Sequence, residues 1–219
     1  MLFFCYHNKK MHEMEVWLCK MTEVQSVKKK KGTLTKEKII KTARNLFYKK
    51  GYDATTTAII AKEAGVSEAT LYKYFKSKMT LLLSTVEPEC IPFMENKNYQ
   101  LLTNQELLSV WTNELIDKVF YNRPQYSIIF NESTKHPELS EQYIANIYSM
   151  SNADWELVNR MDKGDLPKID LILFQVGIIG SFLAMITHMQ IYDPTIKLEK
   201  VPPNIRNTLI CLIEGKFFV

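Results

Sequence analysis

Residues 56–75 read TTAIIAKEAGVSEATLYKYF, and the spacing of residue types in this stretch could support binding chemistry. Ala61 is small where two helices must cross closely. Gly65, four residues on, can take the left-handed backbone that a tight inter-helix turn requires. Val66 and Leu71, five and ten residues past Ala61, point into the contact. That pattern describes a helix-turn-helix; taken alone it also fits an αα-hairpin in any helical protein. A recognition helix enters the DNA major groove N-terminus first, which puts Glu68, Ala69, Thr70, Tyr72 and Lys73 nearest bases and backbone. Lys73 can donate to guanine O6 and N7, and Ala69 can touch a thymine methyl. Glu68 either accepts from cytosine N4 or turns away. Tyr74 suits a phosphate contact. Thr56 and Thr57 bring hydroxyls and free backbone N–H groups to a helix start, and Ser77-Lys78 repeats that arrangement with a charge added. Most of these contacts position the protein and few specify sequence.

The elements that must carry these residues follow from periodicity. Ile39, Ala43, Leu46 and Phe47 recur at helical spacing, with Thr35 as expected N-cap and Lys49-Lys50-Gly51 as a helix end, so a helix is expected over 35–50. Thr56 caps a short helix over 57–64, Ser67 caps another over 68–75, and a fourth opens at Ser77 and runs until Pro88. Further helices are expected at 104–121, 124–135, 137–161, 168–190 and 203–215, with Pro124, Pro137 and Pro203 in first-turn positions. No useful period-2 alternation appears. The chain reads as all-α: a tail over 1–32, a DNA-binding domain over 33–79 and a helical ligand-binding and dimerisation domain over 80–219.

Charge supports the division. The net charge of +4 hides a split: residues 1–80 hold 17 Lys+Arg and 7 Asp+Glu, against 11 and 17 in residues 81–219. A front of +10 and a rear of −6 point to a polyanion-binding module joined to something else. Lys28–Lys31 serve either as an arm on phosphate or as a solvated tail. Four methionines precede residue 22, so translation starting at Met21 is an open alternative for residues 1–20; the front then keeps +9.

Residues 51–56 (GYDATT), Ile60-Ala61, residues 64–67 (AGVS), residues 70–75 (TLYKYF) and Ser77-Lys78 together resemble the signature of the tetracycline-repressor (TetR/AcrR) family of bacterial transcriptional regulators. Residues 132–139 (ESTKHPEL) are similar to a stretch in the ligand domains of many members. The resemblance implies a three-helix DNA-binding domain, a hinge-like fourth helix, an all-α ligand domain and a homodimer. Many relatives carry Arg or another polar residue where this chain has Ala58 and Ile59, which leaves more of the base reading to the recognition helix.

In the rear, Leu171–Met189 is apolar nearly all round. About 16 residues separate Leu171 from Ile186, short of the roughly 20 a membrane span needs. A core helix buried on both sides is expected instead. Gly177, Gly180 and Ser181 allow close helix approach, and Ile205, Leu209 and Leu212 give the last helix a stripe; these six are the expected dimer interface. Trp111, Phe120, Tyr126, Phe130, Tyr148, Trp155 and Phe174 suit a pocket for a small apolar or amphipathic ligand. Glu114, Asp117 or Glu132 would favour a cation there. The four cysteines and four histidines show no metal-ligand spacing, and no nucleophile–base grouping or phosphate-binding loop appears. No metal, cofactor or enzymatic activity is therefore expected. The apolar start, Leu2-Phe3-Phe4, is shorter than the about 7–15 residues of a signal-peptide core, and a cytoplasmic location is expected. The function expected is a sequence-specific, ligand-responsive repressor acting as a homodimer on a palindromic double-stranded operator, without a membrane. The alternative is an activator or a DNA-binding protein without a small-molecule inducer.

Overall fold

The computed structural model describes residues 31–89, 98–147 and 150–217. The expectations for residues 1–20, the Lys28–Lys30 run and Tyr148 lie outside them. The backbone forms two units, residues 1–38 and 39–219. Of the first, the described part is the opening of one helix.

Among the described residues every regular element is helical: α1 (Lys31–Lys50), α2 (Thr57–Ala64), α3 (Glu68–Tyr74), α4 (Lys78–Thr85), α5 (Asn104–Tyr121), α6 (Arg123–Glu132), α7 (Glu138–Ile147), α8 (Asn152–Lys163), α9 (Leu171–Tyr192) and α10 (Pro203–Phe217). Six of the starts are capped by a side chain. Thr56, Ser67, Ser77, Thr103, Ser151 and Asp170 each accept a backbone N–H of the first turn, which satisfies donors the helix itself cannot.

Two expectations are corrected. Thr35 is not an N-cap, because α1 already begins at Lys31. The single helix expected over 137–161 is two, α7 and α8. The reason is the capping box Ser151-x-x-Asp154, in which Ser151 N–H donates to Asp154 Oδ2 (2.6 Å) while Asp154 N–H donates to Ser151 Oγ (3.2 Å). A reciprocal cap starts a new helix even where no proline intervenes.

Residues 39–219 hold two apolar clusters. The first joins Ile39, Phe47, Ile60, Leu71, Phe75 and Leu82 of α1–α4 to Ile128 and Ile129 of α6 and to Leu139 of α7. Packing thus runs continuously past residue 79. The second gathers Leu108, Trp111, Ile116 and Val119 of α5, Leu157 of α8, Ile178, Phe182 and Ile186 of α9, and Ile205, Leu209 and Ile213 of α10. Inside it lies a buried carboxylate. Asp154 Oδ1 accepts from Trp111 Nε1 (2.6 Å) and Gln175 Nε2 (2.5 Å), while its other oxygen closes the cap of α8. All three residues are under 10% exposed. Fully partnered buried polar groups cost little and fix a single arrangement.

Candidate nucleic-acid interface

The turn between α2 and α3 is built by Gly65. Its φ of 65° is left-handed, its N–H donates to Lys62 O (3.1 Å) and Val66 N–H donates to Ala61 O (3.0 Å). This pair of hydrogen bonds closes a helix end in the way glycine permits. Ile60, Ala61, Ala64 and Leu71 are buried where the two helices cross, as the spacing requires. The opposite face is left open. Thr56, Glu68, Ala69, Tyr72 and Lys73 are exposed, while Thr57, Thr70, Tyr74 and Lys78 are half-buried.

Three of these side chains converge. Thr57 Oγ1 donates to Glu68 Oε1 at 2.6 Å and lies 3.2 Å from the Tyr72 hydroxyl. Glu68 is therefore held against α2 through one oxygen. Thr70 Oγ1 stands 2.8 Å from Ser67 Oγ, so its hydroxyl is engaged in the cap. Tyr74 packs against the first cluster, which leaves it less of a surface residue than Tyr72. Ala58 and Ile59 are exposed on α2; neither side chain can donate or accept.

A corner whose residues the sequence marked separately, Ser77-Lys78 as a helix start suited to phosphate and Tyr52, Glu132 and His136 within family-like stretches, adjoins this face. Lys78, the first residue of α4, places Nζ 3.9 Å from the centroid of the Tyr52 ring. Burial pulls its ammonium below the ordinary lysine value, opposed by Asp53 and Glu132. Tyr52 N–H donates to Glu132 Oε1 (3.2 Å), and its ring meets His136 edge-on at 4.6 Å. Burial, then Asp53, Glu138 and Glu132, raise the Tyr52 hydroxyl above its ordinary value. The Gly51-Tyr52 pair held some of this signal, since Gly51 has a φ of 79° that other residues rarely adopt. A second polar joint uses Arg44, which donates to Thr85 O (2.7 Å) and pairs with Glu89. Asn122 in turn accepts from Glu89 N–H (2.7 Å) and donates to Glu89 O (3.2 Å).

In the rear four of the expected pocket residues meet in the second cluster, with the Phe174 ring stacked on Trp111 at 6.3 Å, and two do not. Trp111, Phe120 and Tyr126 are core side chains, whereas Phe130 and Trp155 stand partly exposed on α6 and α8. Burial pushes the Tyr126 hydroxyl up to about 12, with Asp154 adding to the effect. Of the three acids considered for a cation, Glu114 accepts from Tyr99 OH, Asp117 pairs with Arg206, and Glu132 binds Tyr52. Phe174 also lines an open groove of about 560 Å³ with Leu173, Gly177, Ser181, Leu209 and Leu212. Among the expected interface residues, Gly177, Gly180, Ser181 and Leu212 reach the surface. Ile205 and Leu209 do not: at 4% and 1% exposure they belong to the core. They share one side of α10 with Ile213, and that side faces inward, so Leu212 alone of the three expected α10 residues is left outward.

Residues 39–85 match the family described as bacterial regulatory proteins, tetR family. The uncharacterized HTH-type transcriptional regulator YerO of Bacillus subtilis (strain 168) is 56% identical over 52 residues, 24% of this chain and 18% of that protein. The biofilm operon icaADBC HTH-type negative transcriptional regulator IcaR of Staphylococcus aureus (strain Newman) is 31% identical over 121 residues, 55% of this chain and 56% of that protein. The matched stretch thus spans less than two thirds of either relative. A solved transcriptional regulator from Aquifex aeolicus VF5 shares the fold, with a TM-score of 0.53 at 18% identity over 84% of this chain and 99% of that one. The likeness to the tetR family of bacterial regulatory proteins is thus carried by residues 39–85.

Proposed function

We propose that the protein is a sequence-specific DNA-binding transcriptional regulator that acts as a homodimer on a two-fold symmetric operator. The observation that carries this reading is the α2–turn–α3 unit. Its apolar side is buried, while its outer face offers Thr57, Glu68, Tyr72 and Lys73 together. One such helix reads few bases. Two copies related by a two-fold axis read half-sites about one turn apart, roughly 34–36 Å, or at a related spacing. The exposed apolar strip of Leu173, Gly177, Gly180, Ser181 and Leu212 supports self-association through α9 and α10. By length and composition alone α9 could cross a membrane. Its inner face packs with α5 and α10, which favours a core helix in a cytoplasmic protein.

The sign of regulation is read as repression, in keeping with the negative regulator among the relatives. Release follows binding of a small apolar or amphipathic ligand in the helical rear. A ligand that weakens DNA binding 100-fold must favour the released state by about 2.7 kcal/mol.

The test is selection of duplexes from a random library by the full chain. A symmetric consensus should emerge, each wrong base pair costing about 1–3 kcal/mol. Binding that is uniform across sequences, or absent, overturns the reading.

A further inference from the structure

We propose that Glu132 and Tyr52 are positioning residues for DNA binding: together they hold the Lys78 ammonium where it meets a phosphate. The inference rests on the DNA-binding reading above and extends the binding machinery to the C-terminal end of α6.

Lys78 opens α4 beside the recognition helix, and among the described residues it makes no ion pair. Its charge rests instead on the face of Tyr52, 3.9 Å from the ring centroid. A ring face attracts a cation without neutralising it, so the ammonium stays available to an anion. The ring's own place is set from behind. Glu132 Oε1 accepts the Tyr52 N–H (3.2 Å), His136 abuts the ring edge, and Gly51 supplies the left-handed step into the turn.

Glu132 is 5% exposed, and its second oxygen has no hydrogen bond; neither has His136 Nε2, 3.9 Å away. Lys135 Nζ stands 3.6 Å from that oxygen on the solvent side. Unbonded buried polar atoms are rare and call for an explanation. Here the one hydrogen bond that the Glu132 side chain does make secures the residue under Lys78. A carboxylate kept at this expense, 80 residues along the chain from Tyr52, is explained if its task is to fix Tyr52 and through it Lys78.

The test uses a duplex selected from a random library by the wild-type full chain, with affinity measured across a salt series. Lys78→Ala should flatten the salt slope by about 0.9 for each phosphate no longer neutralised and weaken binding about tenfold at moderate salt. Glu132→Ala and Tyr52→Leu should reproduce most of both effects. The Glu132→Ala, Lys78→Ala double variant should bind no more weakly than Lys78→Ala. Glu132→Gln, which can still accept from Tyr52 N–H, should restore the slope. If Glu132→Ala does not fold, Tyr52→Leu carries the test, since it keeps the backbone donor and removes only the ring. Wild-type slopes in Glu132→Ala or Tyr52→Leu, or losses that add to that of Lys78→Ala, overturn the inference. An unchanged slope in Lys78→Ala does so too, leaving the DNA-binding reading intact. A wild-type chain that enriches no duplex overturns both.

Discussion

The α2–α3 pair and the α9–α10 pair solve the same problem in opposite ways. Both bury one apolar side, with Ile60, Ala61, Ala64 and Leu71 in the first and Ile178, Phe182, Ile205 and Leu209 in the second. They differ in what they leave outside. The outer face of α2–α3 carries hydroxyls, a carboxylate and a lysine, some already hydrogen-bonded to one another. The outer face of α9–α10 carries Leu173, two glycines, a serine and Leu212, 68% and 60% exposed in the two leucines. Water solvates the first face well and the second poorly, so only the second gains from being covered by apolar surface. The contrast supports the proposed polyanion binding by the first pair and the proposed self-association through the second.

The largest effect expected in the rear interior comes from Asp154→Ala. It removes a helix cap and leaves the Trp111 and Gln175 donors unpaired, and should cost about 3–5 kcal/mol by urea unfolding. A loss under about 1 kcal/mol would mean that the polar network does not hold this region, and the contrast with the front would weaken.

Alkaline titration comes next. Tyr126 has a folded-state pKa of about 12 against an ordinary 10.0. The folded state therefore holds this proton more tightly, so the stabilisation is whole below pH 10 and is lost as pH rises towards 12. About 2–3 kcal/mol should disappear over that window. Stability that stays flat to pH 12 would contradict the burial of this hydroxyl.

Smaller again, and aimed at the α9–α10 face, is Leu212→Asp. It should raise the dimer dissociation constant at least about tenfold, roughly 1.4 kcal/mol, in sedimentation experiments. Ile205→Val should instead lower stability by about 1 kcal/mol and leave self-association unchanged. Were the two results exchanged, the inward and outward sides of α10 would be wrongly assigned. Thr57→Val is the mildest change. It should alter stability by under about 1 kcal/mol while changing base preference beneath Glu68, read by repeating the duplex selection. An unchanged preference would remove Glu68 from the reading surface.

The front was the more legible end because its signals are local. Thr56, Gly65, Ser67 and Ser77 each act within three or four residues, and each does in the structure what its type and position imply. The rear depends on which side of a helix faces inward. In α9, apolar on nearly every side, hydrophobicity carries little directional information. On α10 the same ambiguity placed Ile205 and Leu209 on the surface, although both are core. The break between α7 and α8 was written in Ser151-x-x-Asp154, but an acid that caps and is also buried looks like any surface acid in sequence. The Tyr52–Glu132 hydrogen bond joins residues 80 apart and had no periodic signature. Glu132 stood out as an acid suited to a cation and as the start of residues 132–139, and neither signal pointed to Tyr52.

The most direct test of the DNA-binding assignment is the affinity of Tyr72→Ala and Lys78→Ala for the duplex that the wild-type chain selects. Both side chains reach the surface without belonging to the buried core, so each variant should keep its helical circular dichroism and thermal midpoint while binding weakens about tenfold or more. Near-wild-type affinity in both variants would contradict the account.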